Sequence, residues 1–153
     1  MVRRNKVNKI MTTAEQLTQV FNDNFVAYYR SHAAHANITG RNFRSDHKLL
    51  QGVYERRQAQ IDVIGELLRT LQEPMPNDLY EILSNSDLPT DAIEGTADEL
   101  LEMVMADLDQ LCDCFKELNE IAEEEEHDEI SNYAQEQILD LNKSLWMLRS
   151  TLE

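Results

Sequence analysis

Four side chains of metal-binding type stand out by their spacing: His35 and His47, then Asp62 and Glu66. The two acids lie four residues apart in IDVIGELL, where apolar residues recur with a helical period. On a helix they sit one above the other and can direct both carboxylates into one site. His47 and Asp62 are 15 residues apart on what reads as the same helix, a span of about 22 Å at the α-helical rise. No single ion can bridge them within one copy. If this helix pairs antiparallel with a symmetry mate near Tyr54 and Glu55, His47 of one chain comes beside Asp62 and Glu66 of the other. A two-fold axis then generates two equivalent sites at a dimer interface. Imidazole and carboxylate donors with open coordination positions suit Fe(II), and zinc competes for the same donors without turning over.

Those residues belong to a longer ordered pattern: His35, the turn Asn37-Ile38-Thr39-Gly40, Asn42-Phe43, His47, Tyr54, Asp62 and Glu66. Pro74-Met75-Pro76, Asp78-Leu79-Tyr80-Glu81-Ile82-Leu83 and Leu145-Trp146-Met147-Leu148-Arg149 continue it. In order and spacing the pattern resembles the Dps family, small bacterial ferritin-like shells that oxidise iron and protect DNA, over roughly residues 13–152. The resemblance implies an all-α ferritin-like four-helix bundle assembled as a homo-oligomer, a dodecamer. It implies ferroxidase catalysis with His35 and His47 from one subunit and Asp62 and Glu66 from its two-fold mate as metal ligands. Iron is then both substrate and stored cargo, with hydrogen peroxide or dioxygen as oxidant. It also implies that acids near the start of the last helix, Asp128 and Glu129 among them, line an ion-entry pore. In some members a basic N-terminal tail binds DNA, and here that role falls to Arg3, Arg4, Lys6 and Lys9.

Three features depart from the family pattern. Gln51 stands where an acid usually follows the second histidine by four residues. Its amide can bind metal through the carbonyl oxygen but brings no negative charge, so it is a weak candidate ligand and the second iron position is expected to be weaker. Ala36 replaces the signature tryptophan. In Glu55-Arg56-Arg57-Gln58-Ala59-Gln60, two arginines beside the site are expected to oppose iron accumulation.

The elements that must position these residues are legible from periodicity. Thr12 and Glu15 form a capping-box pattern ahead of Leu17, Val20, Phe21, Phe25, Tyr28, His32 and His35, the face of a first helix ended by Gly40. His32 reads as a packing or hydrogen-bonding residue more than a ligand. A second helix runs from about Ser45 to Gln72 and is stopped by Pro74. The connection that follows is too long for a bare bundle loop, and Leu79, Ile82 and Leu83 predict a short extra helix inside it. Thr96 and Glu99 open a third helix, and a fourth follows His127. Four amphipathic helices with one long connection between the second and third make the bundle, residues 12–153, behind a flexible basic arm, residues 1–11.

Charge is uneven. The formal net charge is −15, and residues 98–140 carry 16 carboxylates and one lysine, Lys116. Such a body repels DNA and concentrates cations if it lines a cavity or pore. The run Glu123 to Glu126 reads either as a solvated helix end or as part of that lining. Cys112 and Cys114, two apart on a helix, do not face each other, which disfavours a shared metal or a mutual disulfide. No apolar run is long enough to cross a membrane, and no apolar stretch follows the basic N-terminus as in a signal peptide, so the expectation is a cytoplasmic protein, nucleoid-associated if it binds DNA. Two rivals to iron oxidation are a non-catalytic, DNA-coating shell with a vestigial metal site and a plain helical interaction module.

Overall fold

The computed structural model describes residues 11–153, so Arg3, Arg4, Lys6 and Lys9 lie outside the described residues. Five helices follow one another: α1 Thr13–Asn37, α2 Phe43–Thr70, α3 Leu79–Asn85, α4 Ala97–Glu124 and α5 Asp128–Leu152. Among the described residues there is no strand, and none of the helices is long and apolar enough to cross a membrane. The long helices pack as α1 on α2, α4 on α5 and α1 on α4, with α3 against α1. Their shared core runs through Leu17, Val20 and Phe21 of α1, Leu50 and Ile64 of α2, Leu108 and Phe115 of α4 and Leu141 and Leu148 of α5, all at most 2 % exposed.

The helix ends follow from local chemistry. Thr12 and Thr96 cap α1 and α4, their hydroxyls accepting from the N–H groups of Glu15 (3.1 Å) and Glu99 (3.2 Å). α2 starts two residues earlier than its apolar stripe predicts. Gly40, at φ +121°, makes a turn that L side chains disfavour, and Phe43 N–H closes on the Gly40 carbonyl at 3.2 Å. The same helix stops at Thr70 rather than Gln72, because Gln72 takes a left-handed conformation (φ 63°) and Glu73 N–H returns to the Leu68 carbonyl at 3.0 Å. α4 ends the same way, with Glu126 at φ 61° and His127 N–H on the Ala122 carbonyl at 2.8 Å. The predicted short helix is α3. The segment after it is held to α1 by Asp23, whose carboxylate accepts from the Ser86 hydroxyl and the Asp87 N–H, both at 2.8 Å.

Two ion pairs tie the helices together from inside. Arg30 of α1 meets Asp107 of α4 at 2.7 Å, with both side chains buried. Arg57 of α2 is 2 % exposed and donates to Asp140 at 2.8 Å and to Gln137 at 3.1 Å, both on α5. Asn24 of α1 completes the group by donating to the Arg57 carbonyl at 2.8 Å. Burial pulls the guanidinium below the usual arginine range, and Asp140 acts in the opposite direction. Both arginines expected beside the metal site are thus engaged by α5. Arg57 points into the bundle, and Arg56 is engaged by Asp140 (3.4 Å) and the Ser144 hydroxyl (3.2 Å).

The acidic run after α4 is partly structural. Glu125 accepts from both the backbone N–H and the hydroxyl of Thr13, so a carboxylate sits on the positive end of α1. Those two hydrogen bonds hold its carboxyl below the usual range.

Arg57→Ala removes the donor serving Gln137 and Asp140 and opens a cavity; the expected loss is about 3–5 kcal/mol in urea unfolding at fixed protein concentration, against at most about 1 kcal/mol for Arg56→Ala. Equal losses for the two variants would show that the buried network does not carry this weight. For Glu125 the folded pKa is depressed, so its contribution is present above the unfolded value of 4.5 and is lost as pH falls through the lower folded value. Glu125→Gln is therefore expected to lower the melting temperature at pH 7 and to flatten its decline toward pH 3. A decline as steep as that of the unaltered chain would assign the acid sensitivity elsewhere.

Candidate metal centre

His35 lies in the last turn of α1 and His47 in the second turn of α2, brought together by the tight turn at Gly40. Their rings stack with centroids 3.7 Å apart and planes 19° from parallel. Each Nδ1 is hydrogen-bonded to the other residue's backbone carbonyl, His35 Nδ1 to His47 O at 2.7 Å and His47 Nδ1 to His35 O at 2.8 Å. A carbonyl only accepts, so both Nδ1 atoms carry hydrogen and each neutral ring keeps its lone pair on Nε2. Backbone carbonyls thus fix tautomer and ring orientation, as outer-shell partners do for metal-bound histidines. Among the described residues no hydrogen bond engages either Nε2.

The acids lie elsewhere on the same surface. Asp62 and Glu66 are exposed on α2, which runs unbroken from Phe43 to Thr70. His47, Gln51, Tyr54, Glu55, Gln58, Asp62 and Glu66 fall on one side of it at helical spacing. Gln51, one turn after His47, donates from Nε2 to Glu55 Oε1 at 2.8 Å, which leaves its carbonyl oxygen as the free end of the amide. Within the single chain the histidine pair and the acid pair are not brought together. Among the described residues no group of three or more His, Cys, Asp or Glu is arranged to hold a metal ion.

The bundle interior offers no alternative, because Arg57 places a cation among Asn24, Gln137 and Asp140. Both cysteines are buried and free. Cys114 receives the Gln16 amide at 3.4 Å, and burial pushes its thiol up, away from the thiolate that a metal would need. Asp128 and Glu129 are exposed in the first turn of α5, Glu129 lying 3.7 Å from His127 Nδ1.

Sequence reasoning missed the aromatic wall behind the histidines. Tyr54 stacks on His32 with centroids 3.9 Å apart and planes 5° from parallel, and its edge meets His35 at 4.9 Å. His32 in turn contacts the Tyr28 hydroxyl through Nδ1 at 3.2 Å. His32 thus packs and hydrogen-bonds, as its position on α1 suggested. The visible signal was the i, i+4 placement of Tyr28 and His32; what brings Tyr54 against them is the rotation of α2 about its axis.

The family model of the ferritin-like domain matches residues 14–153. The DNA protection during starvation protein of Helicobacter pylori is 27% identical over 143 residues, covering 93% of this chain and 99% of that one. Among solved structures, the Helicobacter cinaedi protein CAIP is 27% identical with a TM-score of 0.86, covering 93% of this chain and all of its own. A DPS protein from Vibrio cholerae, described as a member of a broad superfamily of ferritin-like diiron-carboxylate proteins, superposes with a TM-score of 0.84 at 23% identity, covering 92% of this chain and 89% of its own. Helix order and the short helix in the long connection agree with these matches; the chain is similar to Dps proteins and belongs to the ferritin-like domain family.

Proposed function

We propose that this chain is the subunit of a homo-oligomeric shell that oxidises Fe(II) at sites shared between two subunits and stores the Fe(III) inside. The observation that carries the reading is the locked histidine pair. Two imidazoles with their Nδ1 atoms committed to backbone carbonyls stand on the same surface as an i, i+4 acid pair about 22 Å further along α2. Antiparallel pairing of two α2 helices across a two-fold axis unites one chain's histidines with the other's carboxylates. A dodecamer, as in the Dps family, is the assembly proposed. Asp128 and Glu129 are candidate pore acids through which cations enter.

The chemistry follows from the donors. Neutral Nε2 atoms and anionic Asp62 and Glu66 favour a divalent cation, and the carboxylates stabilise the extra charge of Fe(III). Hydrogen peroxide takes two electrons. Two neighbouring Fe(II) ions supply one each, the O–O bond breaks to two hydroxide ions, and no hydroxyl radical is released. Dioxygen is the alternative oxidant. Removing Fe(II) and peroxide together protects DNA from their reaction. Zinc occupies the same donors and halts turnover. Gln51 makes the second iron the weaker one, since no charge there offsets repulsion between two cations a few ångströms apart.

The reading of a DNA-coating shell with a vestigial metal site is favoured by one feature, the cationic Arg3, Arg4, Lys6 and Lys9 ahead of an acidic body. In the function proposed here the arm adds DNA binding to iron oxidation, multiplied by the number of arms on a shell.

Anaerobic calorimetric titration with Fe(II), followed by peroxide, tests the iron chemistry. The unaltered protein is expected to bind one metal tightly and a second weakly per site. Gln51→Glu strengthens the second event and speeds oxidation, and Asp62→Asn weakens both. Two equally tight events in the unaltered protein, or no response to Gln51→Glu, would show that position 51 does not govern the second iron. Deleting residues 1–10 is expected to leave iron oxidation intact, weaken DNA binding and flatten its log–log salt dependence by about one unit for each phosphate that the arm had neutralised. An unchanged gel shift would show that the arm does not bind DNA.

A further inference from the structure

The rings behind His35 form a continuous path. Tyr54 touches His35 edge-on at 4.9 Å and stacks on His32 at 3.9 Å, and His32 Nδ1 lies 3.2 Å from the Tyr28 hydroxyl. All three outer rings are half-buried. A histidine used only as packing needs no phenol on its Nδ1, and a tyrosine used only as packing needs no base on its hydroxyl. A phenol becomes readily oxidisable when a base beside its oxygen takes the proton as the electron leaves. With its own hydrogen on Nε2, His32 presents such a base to Tyr28. The stacked Tyr54 then carries π contact from that pair to a candidate iron ligand.

We propose that Tyr28 and His32, linked to His35 through Tyr54, form a one-electron donor to the iron site. The inference rests on the iron-oxidation reading above and answers a difficulty in it. With Gln51 weakening the second iron position, peroxide often meets a single Fe(II), which is one electron short. Reduction by that iron alone releases a hydroxyl radical. Here Fe(II) gives one electron and Tyr28 the other. The O–O bond breaks to two hydroxide ions, the phenol proton moves to His32 Nδ1, and Fe(III), a neutral Tyr28 phenoxyl radical and a His32 imidazolium remain. When a later Fe(II) arrives, its electron and the His32 proton restore Tyr28, so two irons are still oxidised per peroxide.

The test uses the full chain loaded anaerobically with one Fe(II) per site, mixed with hydrogen peroxide, frozen at short times and read by electron paramagnetic resonance. The unaltered protein is expected to show a tyrosyl radical that decays on further Fe(II) addition. Tyr28→Phe, which keeps the ring, abolishes the signal and raises spin-trapped hydroxyl radical several-fold. His32→Phe, which keeps the stack on Tyr54 but removes the base, lowers the signal several-fold. Tyr29→Phe, at an exposed ring beside Tyr28, leaves it unchanged. Fe(III) formation with no tyrosyl signal, or with a signal that survives Tyr28→Phe, overturns the donor while leaving iron oxidation standing. No peroxide-dependent Fe(III) in the unaltered protein overturns both.

Discussion

The Arg57 guanidinium inside the bundle is the constraint from which much of the molecule follows. A buried cation is tolerated only with its hydrogen-bond partners in place, and the side-chain oxygens of Asn24, Gln137 and Asp140 bring α1 and α5 to α2 to supply them. The interior of a ferritin-like bundle is where di-iron proteins of this fold hold their metals, through inward-facing glutamates and histidines. In this chain that interior is spent on a charge of the wrong sign. The metal site proposed above lies instead on the outer side of α1 and α2, where the histidines and the carboxylates stand too far apart along the helices to serve one ion alone.

On that outer side, order is achieved with few atoms. The reciprocal Nδ1 bonds of His35 and His47 use two backbone carbonyls near the turn between α1 and α2; that of His35, in the last turn of α1, is one that the helix end leaves without an intrahelical partner. The same contact closes the turn, fixes both tautomers and leaves two lone pairs for a metal. The aromatic stack of Tyr54 on His32 then backs the pair with rings that restrict its movement. In the proposed site, the hydrogen bonds that stabilise the fold are also those that prepare the chemistry.

Much of this was legible in the sequence, for identifiable reasons. The four long helices declare themselves through apolar periodicity, and Thr12 and Thr96 through their threonine-to-glutamate spacing, because both signals are local. The histidine pair was visible through its matched spacing. Arg57 was not, since an arginine between Arg56 and Gln58 reads as solvated, and only the packing of α5 supplies its anion. Glu125 was hidden within a run of four glutamates, and its partner Thr13 lies at the far end of the sequence. The stack of Tyr54 on His32 depends on how α2 is rotated against α1, a property of the assembled bundle that no single helix encodes.

The central claim is that each site is built from two chains, and subunit mixing addresses it most directly. One variant lacks the histidines (His35→Ala with His47→Ala), the other lacks the acids (Asp62→Asn with Glu66→Gln), and each alone is expected to leave Fe(II) unoxidised. Dissociated, mixed and reassembled, the two should regain peroxide-dependent Fe(III) formation, because every mixed pair contains one site with histidines and acids both intact. A mixture as silent as its parents, with mixed pairs confirmed by native mass spectrometry, would contradict a shared site.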